Sequence, residues 1–541
     1  MINEIIKLFL KIKTQEFFQK DVNVYKSQEE TLMNYIKENK DTKFGKKYNF
    51  AEIKNIKDYQ KNVPITTYDF YEEYIKDILE GKDNILTKEK VLVLEQTSGS
   101  SGKKKYIPYT PKLQQEYNAG IFPWLYDLSS KYKKLFAGSM YWSITPAIDD
   151  KENNDNVKIG FEEDAEYLGA VGKIIKKWFA VPKLVSKIQD LEKFQIVTCI
   201  FLFSADNLKF VSVWNASFLT NLLECFENNK DIIIDSILNK KILVDIDKNI
   251  KSSLEKLLSK PSKKQVERLL KIKNNDLDYK EIFSNIELVS AWGDANALIM
   301  YEELQKKLGS IYIQKKGILA TEGIISIPLV NLKDGHVITY KSHFFEFIDI
   351  ETDEIKLLNE LEKGKQYSLI MTTGGGLYRY KLGDIIKVID HYNNIPVVKF
   401  ICRENVSDYC GEKLNEDFVV NVQKEVFEKH KIKPLYVLFA PICIDGKYSY
   451  RLYLETKEKY NIKKLEKDFE TALRDNFHYD YCRKIGQILD FKIVKVKDGN
   501  KAYIKRCTKE FEQKLGNIKN NVFSKYVGWE KYFEMEEEKW K

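Results

Sequence analysis

A short stretch near residue 100 constrains this chain more than any other. The apolar run at residues 91–94 leads into the segment QTSGSSGKKKY at residues 96–106. Within it, residues 97–105 contain four small hydroxyl side chains, two glycines and three lysines. Glycines let backbone N–H groups approach an anion closely, hydroxyls add donors, and a lysine supplies positive charge. The segment therefore predicts a phosphate-binding loop after a strand, with Lys105 as the charged residue.

The spacing of this loop differs from that of a Walker A loop. The Walker A pattern has four residues between its glycines and ends in Gly-Lys-Ser/Thr. Here Gly99 and Gly102 are separated by two residues, and Lys103 is followed by Lys104. The spacing argues against a P-loop nucleotidase. A solvated turn with a few lysines remains an alternative that the loop alone does not exclude.

Length and charge limit the possible classes of protein. At 541 residues and 63.6 kDa the chain is too long for a single hydrophobic core, so two or more domains are expected. The net charge is +8, from 88 basic and 80 acidic residues. That excess suits anionic substrates and is too small for a nucleic-acid-binding protein.

The cysteines and the N-terminus indicate a cellular compartment. The seven cysteines are scattered and include no Cys-x-x-Cys pair, so neither a disulfide framework nor a zinc site is predicted. Residues 1–18 alternate apolar residues with lysines, unlike a signal peptide, and no run reaches the length of a membrane span. We expect a cytoplasmic protein with no membrane partner.

Strand and helix patterns alternate along the first 400 residues. The continuous apolar run at residues 195–203 predicts a buried strand, residues 286–292 a second strand, and residues 295–308 a helix. Residues 336–350 alternate in polarity and predict one long, half-exposed strand, as do residues 366–372. These elements predict a large N-terminal α/β body with mixed sheets.

The composition changes past residue 404. Residues 415–430 and 463–476 have helical periodicity, and residues 434–442, 447–455 and 491–496 resemble strands. Such a set forms an α+β module of domain size. We therefore predict a domain of residues 1–403 and a smaller C-terminal α+β domain of residues 404–541.

Three further clusters follow the loop. They are ATEG at residues 320–323, GGGLYRYKLGD at residues 374–384, and FICREN at residues 400–405. Taken singly, each has an ordinary structural explanation: Glu322 as a surface carboxylate, for example, or Asp384 as a turn residue after Gly383. Their order after a phosphate loop favours a functional interpretation.

With these clusters the sequence resembles a known family, the acyl-acid amido synthetases first named as auxin-responsive plant genes (Gretchen Hagen three). That family belongs to the adenylate-forming superfamily of acyl-CoA synthetases and luciferases. The segments at residues 97–105, 320–323 and 380–384 resemble its three nucleotide motifs. Further segments typical of this branch are residues 61–64, 213–219, 345–347 and 376–380, and the resemblance extends from about residue 61 to residue 416.

The resemblance implies an adenylate-forming fold and a two-step reaction. The enzyme is expected to use ATP and Mg²⁺ to convert a small carboxylic acid to an acyl-adenylate, and then to pass the acyl group to an amino acid. Its partners would be these two substrates, with no nucleic acid, and it would act as a monomer. The residues expected to bind ATP are Thr97, Ser98, Gly99, Ser100, Ser101, Gly102, Lys105, Thr321, Tyr380, Asp384 and Arg403.

Within that set, the resemblance implies individual roles. Residues 98–102 and Lys105 would hold the β- and γ-phosphates, Thr321 the α-phosphate and Glu322 the Mg²⁺ ion. Asp384 would accept the ribose hydroxyls, and Arg403 would fix the nucleotide at the hinge between the domains. Lys105, Thr321 and Glu322 are expected to act in catalysis, together with a lysine of the C-terminal domain.

Some positions depart from the family pattern. Ile318 and Leu319 stand where an aromatic platform for adenine is usual, and Lys381 replaces an arginine. The segment at residues 500–507 resembles the one that supplies the C-terminal lysine, but it places Tyr503 at the family's lysine position. Lys505 is our candidate for that lysine, with Lys501 as the alternative.

Two other functions remain open at this stage. An enzyme with the same first step could transfer the acyl group to a thiol, as an acyl- or aryl-CoA ligase does. The chain could also be a non-catalytic basic binding or scaffold protein, although the presence of Lys105, Glu322 and Asp384 argues against that.

Overall fold

A computed structural model of the chain describes residues 2–98, 104–143, 154, 156–160, 176–274, 278–294, 297–404, 406–407, 409–410, 412, 414–444, 447–484, 488–511, 513, 515 and 518–535. These residues form a mixed α/β structure with several sheets, which confirms the predicted fold class. Among the described residues, no helix is both long enough and apolar enough to cross a membrane.

Helices dominate the first part of the chain and flank the strands in the remainder. The α-helices span Ile2–Thr14 (α1), Val24–Asn39 (α2), Lys43–Lys47 (α3), Ile56–Asn62 (α4), Glu72–Leu79 (α5), Pro111–Lys131 (α6), Leu191–Ser204 (α7), Ala216–Asn228 (α8), Lys230–Asn239 (α9), Lys248–Glu255 (α10), Lys263–Asn274 (α11), Tyr279–Ile282 (α12), Leu298–Leu308 (α13), Glu416–His430 (α14), Ile462–Leu473 (α15), Phe477–Lys484 (α16) and Gly499–Lys509 (α17).

The strands form several separate sheets. They span Val93–Ser98 (β1), Lys104–Tyr109 (β2), Ser139–Trp142 (β3), Lys158–Ile159 (β4), Leu208–Asn215 (β5), Leu288–Trp292 (β6), Ile313–Lys315 (β7), Leu319–Ala320 (β8), Gly323–Ile324 (β9), Ser326–Ile327 (β10), His336–Ile338 (β11), Phe344–Asp349 (β12), Ile355–Leu357 (β13), Gln366–Thr372 (β14), Tyr380–Tyr392 (β15), Ile395–Arg403 (β16), Val406–Ser407 (β17), Leu414–Asn415 (β18), Pro434–Ile444 (β19), Lys447–Thr456 (β20), Lys492–Lys497 (β21) and Glu534–Met535 (β22).

A four-stranded parallel sheet has the order β3-β5-β6-β7. One of its faces packs into the core cluster that contains α6, and the other into a cluster that contains α7 and α8. The strand predicted for residues 195–203 is wrong, because these residues belong to α7. That helix is buried from residue 196 to residue 203 and has no polar face, so its sequence lacks the helical period.

A seven-stranded sheet has the order β10-β11-β16-β15-β14-β12-β13, and its neighbouring strands are antiparallel. The single long strand predicted for residues 336–350 is wrong in extent. It is divided into β11 and β12 by a turn in which the Ser342 N–H donates to the Thr339 carbonyl at 2.8 Å. The strand predicted for residues 366–372 is confirmed as β14.

The remaining N-terminal strands are short and lie beside helix α6. β1 pairs with β2 on one side and with β4 on the other, and β8 pairs with β9. Helix α6 follows β2 directly: Pro111 occupies its first turn, and the Thr110 hydroxyl accepts a hydrogen bond from the Leu113 N–H at 3.2 Å. Proline suits that position because its missing N–H has no partner in a first helical turn.

Residues beyond 413 build cores of their own. The sheet β19-β20-β21-β22 separates two apolar clusters, and all their fully buried members lie between residues 414 and 533. Residues 518–525, here called the C-terminal segment, cross back to the N-terminal part. The Asn215 amide donates to the Ile518 carbonyl at 3.0 Å, and the Lys519 ammonium lies 5.1 Å from the centre of the Trp292 ring.

Candidate active site

The predicted phosphate loop joins the two strands of a hairpin. β1 and β2 run antiparallel, with Thr97 opposite Lys105 and Ser98 opposite Lys104. The loop residues predicted to bind phosphate lie outside the described residues, namely Gly99, Ser100, Ser101 and Gly102. The hairpin brings both ends of this loop together, and Lys105 lies at one of those ends.

Lys105 lies over an aromatic ring that links it to the second motif. Its ammonium is half-buried and 5.4 Å from the centre of the Tyr68 ring. The Tyr68 hydroxyl accepts a hydrogen bond from the Tyr106 N–H at 2.6 Å. Burial raises the pKa of Tyr68 to about 12, and the negative charge of Glu322 adds to the shift. Tyr68 therefore lies beside Lys105 and within electrostatic range of Glu322.

Thr321 and Glu322 form the turn between β8 and β9. Helix α6 supports this turn, because the Tyr117 hydroxyl contacts the carbonyl oxygens of Ala320 at 2.5 Å and Thr321 at 3.0 Å. Burial holds the pKa of Tyr117 well above its ordinary value, so the hydroxyl keeps its proton as a donor. Glu322 is buried, and the Tyr380 hydroxyl donates to its Oε1 at 3.5 Å.

A buried histidine fixes the chain just after the turn. The Ile324 N–H donates to Nε2 of His343 at 3.0 Å, so Nδ1 carries the proton and donates to Glu116 Oε2 at 2.9 Å. A side chain at Gly323 would place its Cβ 2.5 Å from His343 Nε2. The glycine of the second motif is required by this close packing.

Glu116 also connects helix α6 to the third motif. Its carboxylate accepts hydrogen bonds from the Tyr35 hydroxyl at 2.7 Å and from the Gly374 N–H at 2.9 Å. The following glycines are tightly packed as well, since a Cβ at Gly375 would lie 2.6 Å from the Pro108 carbonyl oxygen. Gly376 has a φ of +93°, which glycine adopts without strain. Gly374 and Gly375 thus pack this segment against α6 and β2, and Gly376 packs it against Leu86 and Thr87.

Arg379 holds the third motif in the core and does not face the site. Its guanidinium forms two hydrogen bonds of 3.0 Å to the Glu346 carboxylate. A further nitrogen donates to the carbonyls of Gln60 at 3.0 Å and Val63 at 2.8 Å. Both charged side chains are almost completely buried. This pair joins the segments at residues 61–64, 345–347 and 376–380 in the folded chain.

Tyr380 and Asp384 lie on β15, and both are buried. Asp384 is paired in register with Arg403, the last residue of β16. Glu404 then donates its N–H to the Gly383 carbonyl at 2.7 Å, and its carboxylate pairs with the Lys381 ammonium at 2.6 Å. The residues assigned to the ribose and to the hinge are therefore adjacent.

Comparison with protein families covers most of the chain. The sequence matches the GH3 family N-terminal domain over residues 13–313 and the GH3 family central domain over residues 336–403. This chain belongs to the GH3 family.

This GH3 protein is similar to curated proteins over most of its length, at low sequence identity. It is 23% identical over 420 residues to the jasmonoyl–L-amino acid synthetase JAR4 of Nicotiana attenuata, covering 73% of this chain and 71% of that protein. It is 22% identical over 507 residues to the probable indole-3-acetic acid-amido synthetase GH3.11 of Oryza sativa subsp. japonica, covering 85% and 84%. The solved structure of the GH3.15 acyl acid amido synthetase superimposes with a TM-score of 0.79 at 18% identity, covering 96% and 94%. The fold is thus that of the GH3 enzymes.

The predicted C-terminal lysines of this GH3 chain lie on helix α17. Lys505 is exposed, and the exposed Lys501 lies 3.5 Å from Asp498. Tyr503, which occupies the family's lysine position, is buried and stacks on Trp529 with the ring centres 5.0 Å apart. At that position the side chain packs in a core and carries no charge.

A different lysine of the C-terminal part lies within electrostatic range of Lys105. Lys525 belongs to the C-terminal segment, and its carbonyl accepts a hydrogen bond from the Tyr409 hydroxyl at 2.6 Å. Burial lowers the pKa of the Lys525 ammonium, and the nearby positive charge of Lys105 lowers it further. No motif in the sequence indicated Lys525, because its position depends on how the C-terminal segment folds back.

The structure brings one residue of each nucleotide motif into a single neighbourhood. The Lys105 ammonium lies over the Tyr68 ring, the charge of Glu322 acts on Tyr68 through space, and Tyr380 donates a hydrogen bond to Glu322. In the described part of the chain, no group of three or more His, Cys, Asp or Glu residues is arranged to hold a metal ion. Glu322 can thus supply one hard oxygen ligand to a cation whose other ligands would come from a nucleotide and water.

Proposed function

We propose that this GH3 protein is an ATP-dependent acid–amino acid ligase that adenylates a small carboxylic acid and transfers its acyl group to an amino acid amine. The observation that carries this proposal is the convergence of Lys105, Glu322 and Tyr380 in a chain of the GH3 family. Relatives named as amido synthetases favour an amide product over a thioester.

In the first step, a carboxylate oxygen attacks the α-phosphorus of ATP. A bond forms between that oxygen and phosphorus, the bond to the β-phosphate oxygen breaks, and pyrophosphate leaves with its electron pair. Negative charge accumulates on the leaving phosphates, where Lys105 and the loop at residues 97–102 would stabilise it. Thr321 would bind the α-phosphate at the turn that Tyr117 supports.

Glu322 would hold Mg²⁺ beside the phosphates. Its buried carboxylate is a hard oxygen ligand next to the tyrosine-lined end of the loop, which fits a small divalent cation. When bound, Mg²⁺ neutralises phosphate charge. Tyr380, whose hydroxyl contacts Glu322, would keep that carboxylate oriented.

Asp384 and Arg403 would hold the nucleoside half of ATP. A carboxylate accepts hydrogen bonds only, which suits two ribose hydroxyls. The cross-strand pairing of Asp384 with Arg403 supports a shared role for the two residues. In the second step, the amino acid nitrogen attacks the acyl carbon, AMP leaves with the bonding electrons, and the amine loses a proton.

Residues 404–541 would act as a second domain that moves between the two steps. Two features support this boundary: the match to the GH3 central domain ends at residue 403, and the fully buried members of the C-terminal cores all come from residues beyond 413. A hinge at residues 403 and 404 would let one site first exclude water and later admit the amine.

The proposal is tested by a pyrophosphate-release screen that crosses aliphatic, aromatic and indolic acids with the common amino acids. Release that requires one acid, together with an amide product of the expected mass, supports it. A parallel arm with coenzyme A in place of the amino acid detects a thiol ligase. A folded protein that binds ATP but releases no pyrophosphate with any acid would favour the non-catalytic alternative.

A further inference from the structure

One face of the parallel sheet carries a row of polar side chains. The register pairs Trp142 with Ser212, Ser212 with Ser290, and Ser290 with Gln314. The row therefore takes one residue from each of the four strands. Residues at the same level of a sheet point to the same face, so these four side chains lie side by side.

The row is buried, and part of it lacks hydrogen-bond partners. The exposed fractions are 7% for Trp142, 7% for Ser212, 0% for Ser290 and 3% for Gln314. Among the residues that the structure describes, Trp142 Nε1, Ser290 Oγ and Gln314 Nε2 have no hydrogen-bond partner. A buried polar atom without a partner is costly, so three such atoms in one row indicate a place for a polar ligand.

The unbonded atoms are hydrogen-bond donors. An indole N–H only donates, and so does an amide nitrogen, whereas a hydroxyl donates or accepts. The orientation of the Gln314 amide is set by Trp124, whose Nε1 donates to Gln314 Oε1 at 2.8 Å. Because the indole cannot accept, the amide oxygen must face Trp124, and the NH₂ group is left for another partner.

A lysine adds positive charge beside the row. The Lys316 ammonium donates to Ser212 Oγ at 2.6 Å. It lies 5.1 Å from the centre of the Trp124 ring and 5.8 Å from that of Trp214. The row is therefore bordered by the indole rings of Trp124 and Trp214, with hydrogen-bond donors and the Lys316 cation beside them. This arrangement favours a planar ligand that carries an acceptor oxygen.

Helix α6 connects the row to the proposed adenylation site. Tyr117 on this helix contacts the Thr321 carbonyl, and Trp124 on the same helix contacts Gln314. Trp124 follows Tyr117 by seven residues, a separation of about 10 Å along the helix axis. A small acid activated at Thr321 could reach the row with its far end.

We propose that the row Trp142–Ser212–Ser290–Gln314, with Lys316, binds the far end of the acyl acid and selects planar acids that carry a hydrogen-bond acceptor there. A phenolic hydroxyl or a second carboxylate meets this requirement, and a methyl group or hydrogen does not. This inference rests on the proposed ligase function and adds the chemical class of its acid.

The test uses matched acids that differ only at the far end. Cinnamic acid is compared with its 4-methyl, 4-hydroxy and 4-carboxy derivatives, and 3-phenylpropionic acid with the same set. Pyrophosphate release gives kcat/KM, and quenching of tryptophan fluorescence gives binding without catalysis. We expect each acceptor-bearing acid to exceed its methyl partner by at least about tenfold in both measurements.

Substitutions then assign the preference to the row. Ser290→Ala and Gln314→Leu should each reduce the preference for acceptor-bearing acids about tenfold. The nearly isosteric Gln314→Glu should reject the 4-carboxy acids, because it replaces a donor with a negative charge. Thr198→Val is the control: the Thr198 hydroxyl is also buried and has no hydrogen-bond partner in the described part of the chain, but it lies in α7, on the other side of the sheet. It should leave the preference unchanged.

The outcomes separate this inference from the proposed function. Suppose that no acid causes pyrophosphate release, that acceptor-bearing acids still bind more tightly, and that the row variants abolish this difference. That result would contradict the proposed ligase function and leave the inference about the row intact. Pyrophosphate release that is faster with the 4-methyl acids than with the acceptor-bearing acids would overturn the inference. A preference for acceptor-bearing acids that Gln314→Glu leaves unchanged in a folded protein would also overturn it. Equal binding of the parent acid and its three derivatives would overturn it as well.

Discussion

Lys105 is the side chain whose removal tests the phosphate site most directly. Lys105→Ala removes one positive charge from a half-buried position and no apolar side chain from a core. We expect acid-dependent ATP–pyrophosphate exchange to fall about a hundredfold, which corresponds to roughly 3 kcal/mol, with thermal unfolding unchanged. Lys90→Ala, at an exposed position before β1, is the control. A folded Lys105→Ala protein with normal exchange would contradict the assignment.

Substitution of Asp384 should weaken the binding of ATP and leave the binding of the acid unchanged. Asp384→Asn keeps the volume of this buried residue but removes the charge that would accept two ribose hydroxyls. We expect the KM for ATP to rise at least about tenfold, since hydrogen bonds to charged groups contribute 1.5–3 kcal/mol, roughly. The KM for the acid should stay the same. An unchanged KM for ATP would refute the ribose role.

Lys525 and Lys105 should titrate as interacting groups. Lys105→Met removes the nearby charge that helps lower the pKa of Lys525, so this pKa should rise while remaining below its ordinary value because of burial. A higher pKa leaves less neutral amine between pH 8 and 10, and acylation of Lys525 should therefore slow. Mass spectrometry of acetylation against pH measures this, with the exposed Lys509 as the reference. Identical Lys525 profiles in both proteins would show that the two ammonium groups are not neighbours.

Motif residues could be located from the sequence, and their supporting residues could not. Lys105, Glu322 and Tyr380 stood out because loop chemistry and order along the chain identify them. Tyr68 and Tyr117 reach the same site from a 3₁₀ turn and from helix α6, and their contacts span dozens to hundreds of residues. Aromatic residues are frequent in this chain, so nothing local distinguishes these two from ordinary core residues.

At the level of elements, the sequence is informative where one face of an element is polar. β21 carries lysines at positions 492, 495 and 497, and the sequence predicts its position to within one residue. β14 is predicted at its observed bounds although only Gln366 at its start is not buried. Helix α7 was mistaken for a strand because it is apolar on every side, and a short apolar run fits either element. The turn between β11 and β12 was missed because both strands are mostly buried, so the polarity pattern continues across it.

The buried pair between β12 and the third motif should dominate local stability. Glu346→Ala would leave the Arg379 guanidinium charged in a nearly dry site. We expect a loss of about 3–5 kcal/mol, because removing one partner leaves an uncompensated buried charge. Urea unfolding measured by tryptophan fluorescence gives the shift in midpoint.

An ion pair at the surface provides the control for the loss of stability in Glu346→Ala. Glu354 and Lys356 lie 2.6 Å apart, and Glu354 is largely exposed. Glu354→Ala should change the urea midpoint little, because water and salt screen an exposed pair. Equal shifts for Glu346→Ala and Glu354→Ala would show that the buried pair has no special role in stability.

At the scale of the whole molecule, the mixed α/β class follows from the element types alone. The path of the C-terminal segment does not, because its contacts with Asn215 and Trp292 join positions about 300 and 230 residues apart in sequence. Such long-range pairings leave no periodic signal in a single sequence.

Glu404 offers a test of motion between the two parts. Glu404→Pro restricts the backbone at the proposed hinge and removes the N–H that donates to Gly383. Pyrophosphate exchange and amide formation should then change to clearly different extents. Glu404→Ala is the control: it loses the Lys381 ion pair but keeps the N–H. Equal effects of Glu404→Pro on both half-reactions would indicate that residues 404–541 do not move between them.

The C-terminal segment also determines which parts of GH3 proteins can be exchanged. A chimera that takes residues beyond 403 from a relative replaces Ile518, Lys519 and Lys525 together, while their partners Asn215, Trp292 and Lys105 stay behind. The transplanted segment then faces residues of a different protein at the ends of β5 and β6 and at Lys105. Recombination between relatives should therefore succeed more often when the crossover lies after residue 525 than when it lies at residue 403.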